Sequence, residues 1–219
     1  MAASAYSRFR IAQQLLPLLI TAASTTPLAR VVDVAGGTYE GHVDTSDIPA
    51  LNVSYTKLRP HTCSIHTLSL EALAQQAPTV SFVHEFPDAV YTNLHKDASG
   101  ALGLLFRVVI TMLHAILGGW IFVPLEESGE RHVFFATSRK YKPLDGGASG
   151  VSFGGLETAE GSNSVIGSGV YSMNWDGEKR TEQSVIALKE LRSKRVNEMV
   201  WNHITSEFDR ITGEDQPIR

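Results

Sequence analysis

Residues 54–73, "SYTKLRPHTCSIHTLSLEAL", bring Tyr55, Lys57 and Arg59 together, with His61, Cys63 and His66 close behind. A phenol among cations, followed by imidazoles that titrate near neutral pH, is material for proton transfer. His61 suits a general base because the ordinary imidazole pKa lies in the working range. His61 and His66 are five residues apart, which does not put them on one helical face. Together with Cys63 they lack the ligand spacing of a zinc site, so no metal is expected. A second polar pair, His84 and Glu85, closes the apolar run "TVSFVHEF". At a strand end such a pair faces a ligand cleft, or is simply polar punctuation. Glu126, Glu127 and Glu130 read most simply as a solvated helix start.

The elements that must position these groups alternate. Residues 3–23 read as a helix, with Pro17 as a candidate kink. "RVVDVAGG" predicts a strand over 30–35, shielded on both faces as in a parallel sheet. The following loop gives way to a helix entered at Pro60, with Ile65, Leu68, Leu70 and Leu73 on its apolar face and Pro78 as its stop. "TVSFVHEF" predicts the second strand, and Pro87 ends it. A helix starts after Pro124. Residues 142–169, rich in Gly and Ser, predict an exposed loop. "GSGVYSMN" predicts a third strand, and apolar spacing predicts C-terminal helix over 181–211, as one helix or two in sequence. This order argues a parallel α/β sheet with flanking helices, in one domain over residues 1–219.

The chain has 219 residues, 43% of them hydrophobic and 19% charged, with a formal net charge of −4. No basic block is present, which argues against a nucleic-acid partner. Cys63 is the single cysteine, so no internal disulfide can form, and a reducing, cytoplasmic setting is expected. "SRFRIAQQLLPLLITAAS" has the charged start and apolar middle of a signal peptide, but Gln13 and Gln14 interrupt the run, and its apolar spacing favours a helix of the domain. Residues 101–123, "ALGLLFRVVITMLHAILGGWIFV", are long enough to span a bilayer, yet Arg107 and His114 lie inside. A helix buried against the domain is the first expectation there, and a helix on a membrane surface the second.

"RVVDVAGG", "CSIHTLSLEALA" and "VSFVHEFPDAVYTNL" in this order resemble the C-terminal part of a short-chain dehydrogenase/reductase. The likeness extends through "PLEESGERHVFFATS" and "GSGVYSMNWDGE", and is strongest to a divergent branch in filamentous fungi associated with secondary-metabolite pathways. The resemblance implies that Pro87, Val90 and Thr92 line the nicotinamide side of NAD(P), with Asp88 where Gly is usual. It implies that Gly36 stands nearest to the family's catalytic serine, with Thr38 and Tyr39 as substitutes. It further implies that Tyr55 handles the proton at the substrate oxygen and Arg59 replaces the family's lysine. Arg59 keeps the charge but cannot shuttle a proton. The family's Gly-rich dinucleotide turn has no counterpart, so about 100 N-terminal residues of the usual fold are expected to be missing.

The resulting expectation is a partial Rossmann-like fold serving an oxidoreductase of a small-molecule intermediate, with NAD(P) as cofactor. A non-redox isomerase, cyclase or dehydratase on the same scaffold, working without that cofactor, is the alternative. A non-catalytic binding protein is the third reading. The first helix and the helix after Pro60, with small residues Thr62, Ser64, Ser69 and Ala72, are expected to pair in a homodimer.

Overall fold

The computed structural model describes residues 2–26, 28–93, 99–147, 150–152, 154–178 and 181–213. The three β-branched runs form strands β1 (Arg30–Val34), β2 (Ser81–Glu85) and β3 (Val170–Met173). They pair in parallel in the order β1-β2-β3. Asp33 stands opposite His84, and His84 opposite Ser172. Parallel neighbours need crossovers. Helix α2 (Tyr55–Gln76) joins β1 to β2, while α3 (Gly100–Ile121) and α4 (Leu125–Thr137) lie between β2 and β3. A π-helical turn (Ala2–Tyr6) and α1 (Ser7–Thr25) precede the sheet; α5 (Glu182–Ser193) and α6 (Val196–Thr212) follow it. This is the expected partial Rossmann-like α/β arrangement.

Alternation along β2 divides the core. Phe82 joins Phe9, Ile65, Leu68, Leu188 and Ile204 on one side of the sheet. Val83 joins Phe135, Tyr141, Tyr171 and Met173 on the other. β1 is an edge strand. Its outer side and α1 border a groove of about 470 Å³ that includes Phe9, Leu15, Leu19 and Val32.

Three local expectations change and one open choice is decided. Helix α2 begins at Tyr55, not at Pro60. Pro60 lacks an N–H and costs the helix one hydrogen bond without ending it. Consequently Tyr55 and Arg59 are one helical turn apart. Second, the C-terminal helix is two helices, because Arg195 takes a left-handed conformation (φ 57°) between them. Third, the segment 142–169 is pinned in part rather than exposed throughout. Ser162 is buried and donates to Glu71, and Arg192 bonds both Glu71 and the Ser162 carbonyl. Fourth, α3 is not buried against the domain. Of its most apolar stretch, Gly100–Gly118, only Gly103 is buried, and among the described residues no other helix or strand packs along it.

Candidate functional site

The carboxyl ends of β1 and β2 open into a cleft of about 1030 Å³. In open parallel sheets, ligands bind at this edge. Ser4 and Arg8 border it from the chain's start, Gly36 from the end of β1, and Phe86 from the end of β2. Tyr55, Arg59, Cys63 and His66 border it from α2. The sequence motif therefore does face a cleft, but its members behave differently there.

Tyr55 is 91% exposed, at the mouth. The Arg59 guanidinium lies 3.5 Å from the centre of the Tyr39 ring and 4.6 Å from that of Phe86. These cation–π contacts commit its charge to the rings. His61 is outside the lining and buried. Its Nδ1 accepts from the Asp44 N–H, and its Nε2 lies 3.1 Å from the Ile48 carbonyl. Both ring nitrogens thus hold the loop after β1. Cys63 is buried too, and desolvation pushes its thiol up to about 12, which makes it a poor nucleophile. Gly36 has no room for a side chain, because a Cβ there would lie 2.3 Å from Cys63 Sγ. The absence of a serine at this corner has a packing cause.

Pro87, Val90 and Thr92 do not border the cleft. Val90 pairs with Val123, and the Ala89 carbonyl accepts the Val123 N–H. Asp88 has φ 59°, the left-handed region where Gly is unstrained, and its side chain accepts the Ala89 N–H. The chain thus makes a glycine-type turn after β2 without the glycine.

The best-ordered proton-transfer geometry involves residues the motif reading left aside. His66 Nδ1 lies 2.5 Å from Asp33 Oδ2, so the imidazole donates to the carboxylate. Arg8 donates to the other Asp33 oxygen at 2.8 Å and to the Val34 carbonyl at 2.7 Å. Burial alone raises the Asp33 pKa; the His66 and Arg8 contacts outweigh it and hold the group at about 2. Asp33 is therefore ionised, and His66 is locked as the Nδ1–H tautomer. Its Nε2 has no hydrogen-bond partner among the described residues, on a ring that borders the cleft.

Below this pair, a second network ties the strand ends together. Thr67 and Ser172 donate to Glu40 Oε1, and Thr67 accepts from His84 Nδ1 at 2.8 Å. The Gly36 N–H points at His84 Nε2 at 3.0 Å, and the Thr38 N–H at Ser172 Oγ at 2.8 Å. Burial raises the Glu40 pKa, but His84, Ser172 and Thr67 together hold it below its ordinary value. Gly37 sits so close to the His84 and Met173 carbonyls that a Cβ would approach to 2.4 and 2.6 Å. His84 is thus a structural post, not a cleft group. Glu85 is buried with its carboxylate 2.7 Å from His132 Nε2; desolvation raises its pKa against the pull of that imidazole.

Asp33, His66 and His84 bring one donor atom each within 4.8 Å of one another. The arrangement does not suit a cation, because His84 Nε2 faces an N–H, His66 Nδ1 carries the proton given to Asp33, and the two rings stack at 5.5 Å. Asp33 itself was visible in the sequence as the one acid in a β-branched strand, and a buried carboxylate must find partners. Glu40, in a loop, carries no such signal.

No protein-family model matches the chain, and no solved structure does. Three curated relatives are fungal proteins. "Oxidoreductase AN1596" of Emericella nidulans is 34% identical over 94% of this chain and 60% of its own length. "Oxidoreductase andH" of Emericella variicolor is 34% identical over 97% of this chain and 61% of its own. "NmrA-like family domain-containing oxidoreductase notO" of Aspergillus sp. is 31% identical over 90% of this chain and 52% of its own. The chain is a homologue of fungal oxidoreductases, and spans about three fifths of the length of the first two.

Proposed function

We propose that this chain carries the reactive-end cleft of an NAD(P)-dependent oxidoreductase of the short-chain dehydrogenase/reductase type, acting on a small secondary-metabolite intermediate. The observation that carries the reading is the cleft at the carboxyl ends of the parallel strands β1 and β2, with His66, paired to Asp33, on its wall. Relatives named oxidoreductases, one of them NmrA-like, support the reaction class. The cofactor fits in one half. A cleft of about 1030 Å³ accommodates a nicotinamide ring and a small substrate. The glycine-type turn at Asp88 follows Phe86, the last residue after β2 to border the cleft, and itself lies outside the lining. A pyrophosphate needs a strand–Gly-rich turn–helix, and none is found among the described residues.

When bound, the nicotinamide supplies or takes a hydride. The chain's own residues supply the proton. His66 Nε2 holds or receives it at the substrate oxygen, while Asp33 fixes the tautomer and stabilises the imidazolium. Arg8 keeps Asp33 ionised and in place. Arg59, Tyr39 and Phe86 form a stacked wall that excludes water from one side. Tyr55, at the mouth, meets the substrate on entry. Two copies pair through the exposed apolar side chains of α1, Ile11, Leu15 and Leu18. Ser64 and Ser69 are not available for that contact, being buried and bonded to Gly41 and Ile65 within the chain. A clean monomer by light scattering at micromolar concentration would remove the dimer.

The test is calorimetric titration of the 219-residue chain with NADPH and NADH. Micromolar binding supports the reading. No binding, by a chain shown to be folded by circular dichroism, overturns it for this chain. A second reading, a cofactor-independent isomerase or dehydratase, is favoured by the imidazole–carboxylate pair itself, which performs proton transfer unaided. Turnover of a pathway intermediate without nicotinamide selects it.

A further inference from the structure

Helix α3 inverts the usual placement of apolar surface. Along its apolar stretch Gly100–Gly118 only Gly103 is buried. At 100° per residue, the exposed large apolar side chains run from Leu104 through Val108, Leu105 and Leu102 to Ile121, an arc of about 260°. The remaining strip holds Gly103, Arg107, Thr111, His114 and Gly118. That strip faces the body: Gly103 is buried, and the His114 ring stacks on Tyr91 with centroids 3.8 Å apart. Trp120, near the end of the helix, is 93% exposed within the apolar arc.

Helix α3 has the length and composition of a membrane span, but the topology forbids one. β2 precedes it and β3 follows it, and the two strands are hydrogen-bonded neighbours in one sheet. The chain enters and leaves α3 on the same side. A single crossing would force the connection from β2 to return through lipid as non-helical backbone, with unsatisfied N–H and C=O groups. Val123, two residues beyond α3, is also paired to Val90, which holds that end of the helix at the body. A protein partner is the poorer occupant. One facing helix or groove covers a stripe of about 100°, and protein interfaces carry polar rims, whereas this arc is more than twice as wide and uncharged.

We propose that α3 is an in-plane membrane anchor. It lies along a lipid bilayer with its apolar arc in the acyl boundary and its Arg107–His114 strip toward the headgroups and the protein. Trp120 sits at the interface, where aromatic side chains are favoured. The cleft then opens on a protein held at the membrane surface, where apolar substrates concentrate.

The experiment is flotation of the full chain with phosphatidylcholine vesicles, with and without phosphatidylserine. The double variant L105E/V109E, at the centre of the arc, is run alongside it. The wild-type chain is expected to float with both vesicle types, and the variant to lose about tenfold in bound fraction, since a charge in the acyl region is costly. Circular dichroism is expected to be unchanged, because both positions are exposed. Lipids brominated near the headgroup are expected to quench Trp120 more than lipids brominated near the chain end, with the signal lost in W120F. A folded wild-type chain that stays with the soluble fraction overturns the proposal, as does flotation that survives L105E/V109E. A concentration-dependent dimer dissolved by the same variant, without flotation, assigns the arc to a second copy instead. Deeper than shallow quenching overturns the in-plane geometry.

Discussion

At the carboxyl ends of the strands, charged and polar side chains are buried; along α3, apolar side chains are exposed. Both regions depart from the ordinary partition, and they answer it differently. Asp33, Glu40, His66 and His84 leave water only because hydroxyls, imidazoles and backbone N–H groups of this same chain replace the lost hydrogen bonds. The α3 arc has no such replacement within the described residues. The strand-end groups are bonded mostly to one another, with Glu40 Oε2 and His66 Nε2 left over, whereas the α3 arc is open to solvent. The first region therefore bears on stability, and the second is the place to test for association.

Substitutions can separate the two. Glu40→Ala is expected to have the largest effect, a loss of about 3 kcal/mol in urea denaturation, because it leaves the buried Thr67 and Ser172 hydroxyls without their acceptor. A change below about 1 kcal/mol would mean that the network is not what closes the strand ends. His66→Ala is expected to lower kcat/KM for NADPH-dependent reduction of small carbonyl compounds by about 10²-fold, with Tyr55→Phe within about threefold. The reverse ranking would return the proton to Tyr55. The third effect is pH-dependent. Asp33 is held at about 2, below its ordinary value of 3.8, so its stabilisation is present above about pH 4 and is lost as pH falls toward 2. That amounts to about 2 kcal/mol and should be missing from the acid limb of Asp33→Asn. Arg59→Ala is expected to cost about 1 kcal/mol, from the lost stacking on Tyr39 and Phe86. Leu105→Glu comes last, with less than about 0.5 kcal/mol, since an exposed position contributes little to folding. A larger loss there would show that α3 packs against the body in solution.

These two regions also mark where the sequence could be read. The strands were legible because β-branched runs ended at Gly and Pro. Pro78 and Pro124 marked a helix stop and a start. Asp88 in a left-handed turn accounts for a position that the resemblance reserves for glycine. The start of α2 was misplaced because Pro60 looks like a first-turn residue and is in fact tolerated one turn inside. The site was less legible than the fold. Asp33 meets His66, and Glu40 meets Ser172, 33 and 132 residues apart along the chain. Such contacts follow from how a helix and a loop pack over the strand ends, which local patterns do not reveal. His61 drew attention by its neighbours, yet both of its ring nitrogens are spent on a loop. For α3, composition established a long apolar helix and left open whether protein would cover it.

The most direct measurement is a histidine side-chain NMR titration of the intact chain with reduced nicotinamide mononucleotide. This probe carries the reactive ring without the adenosine half, for which no Gly-rich turn is found among the described residues. The account predicts a saturable shift of the His66 Nε2 resonance, with His61 and His84 unmoved because their nitrogens are already bonded. Shifts confined to His61, or no shift at His66 while the protein stays folded, would contradict it.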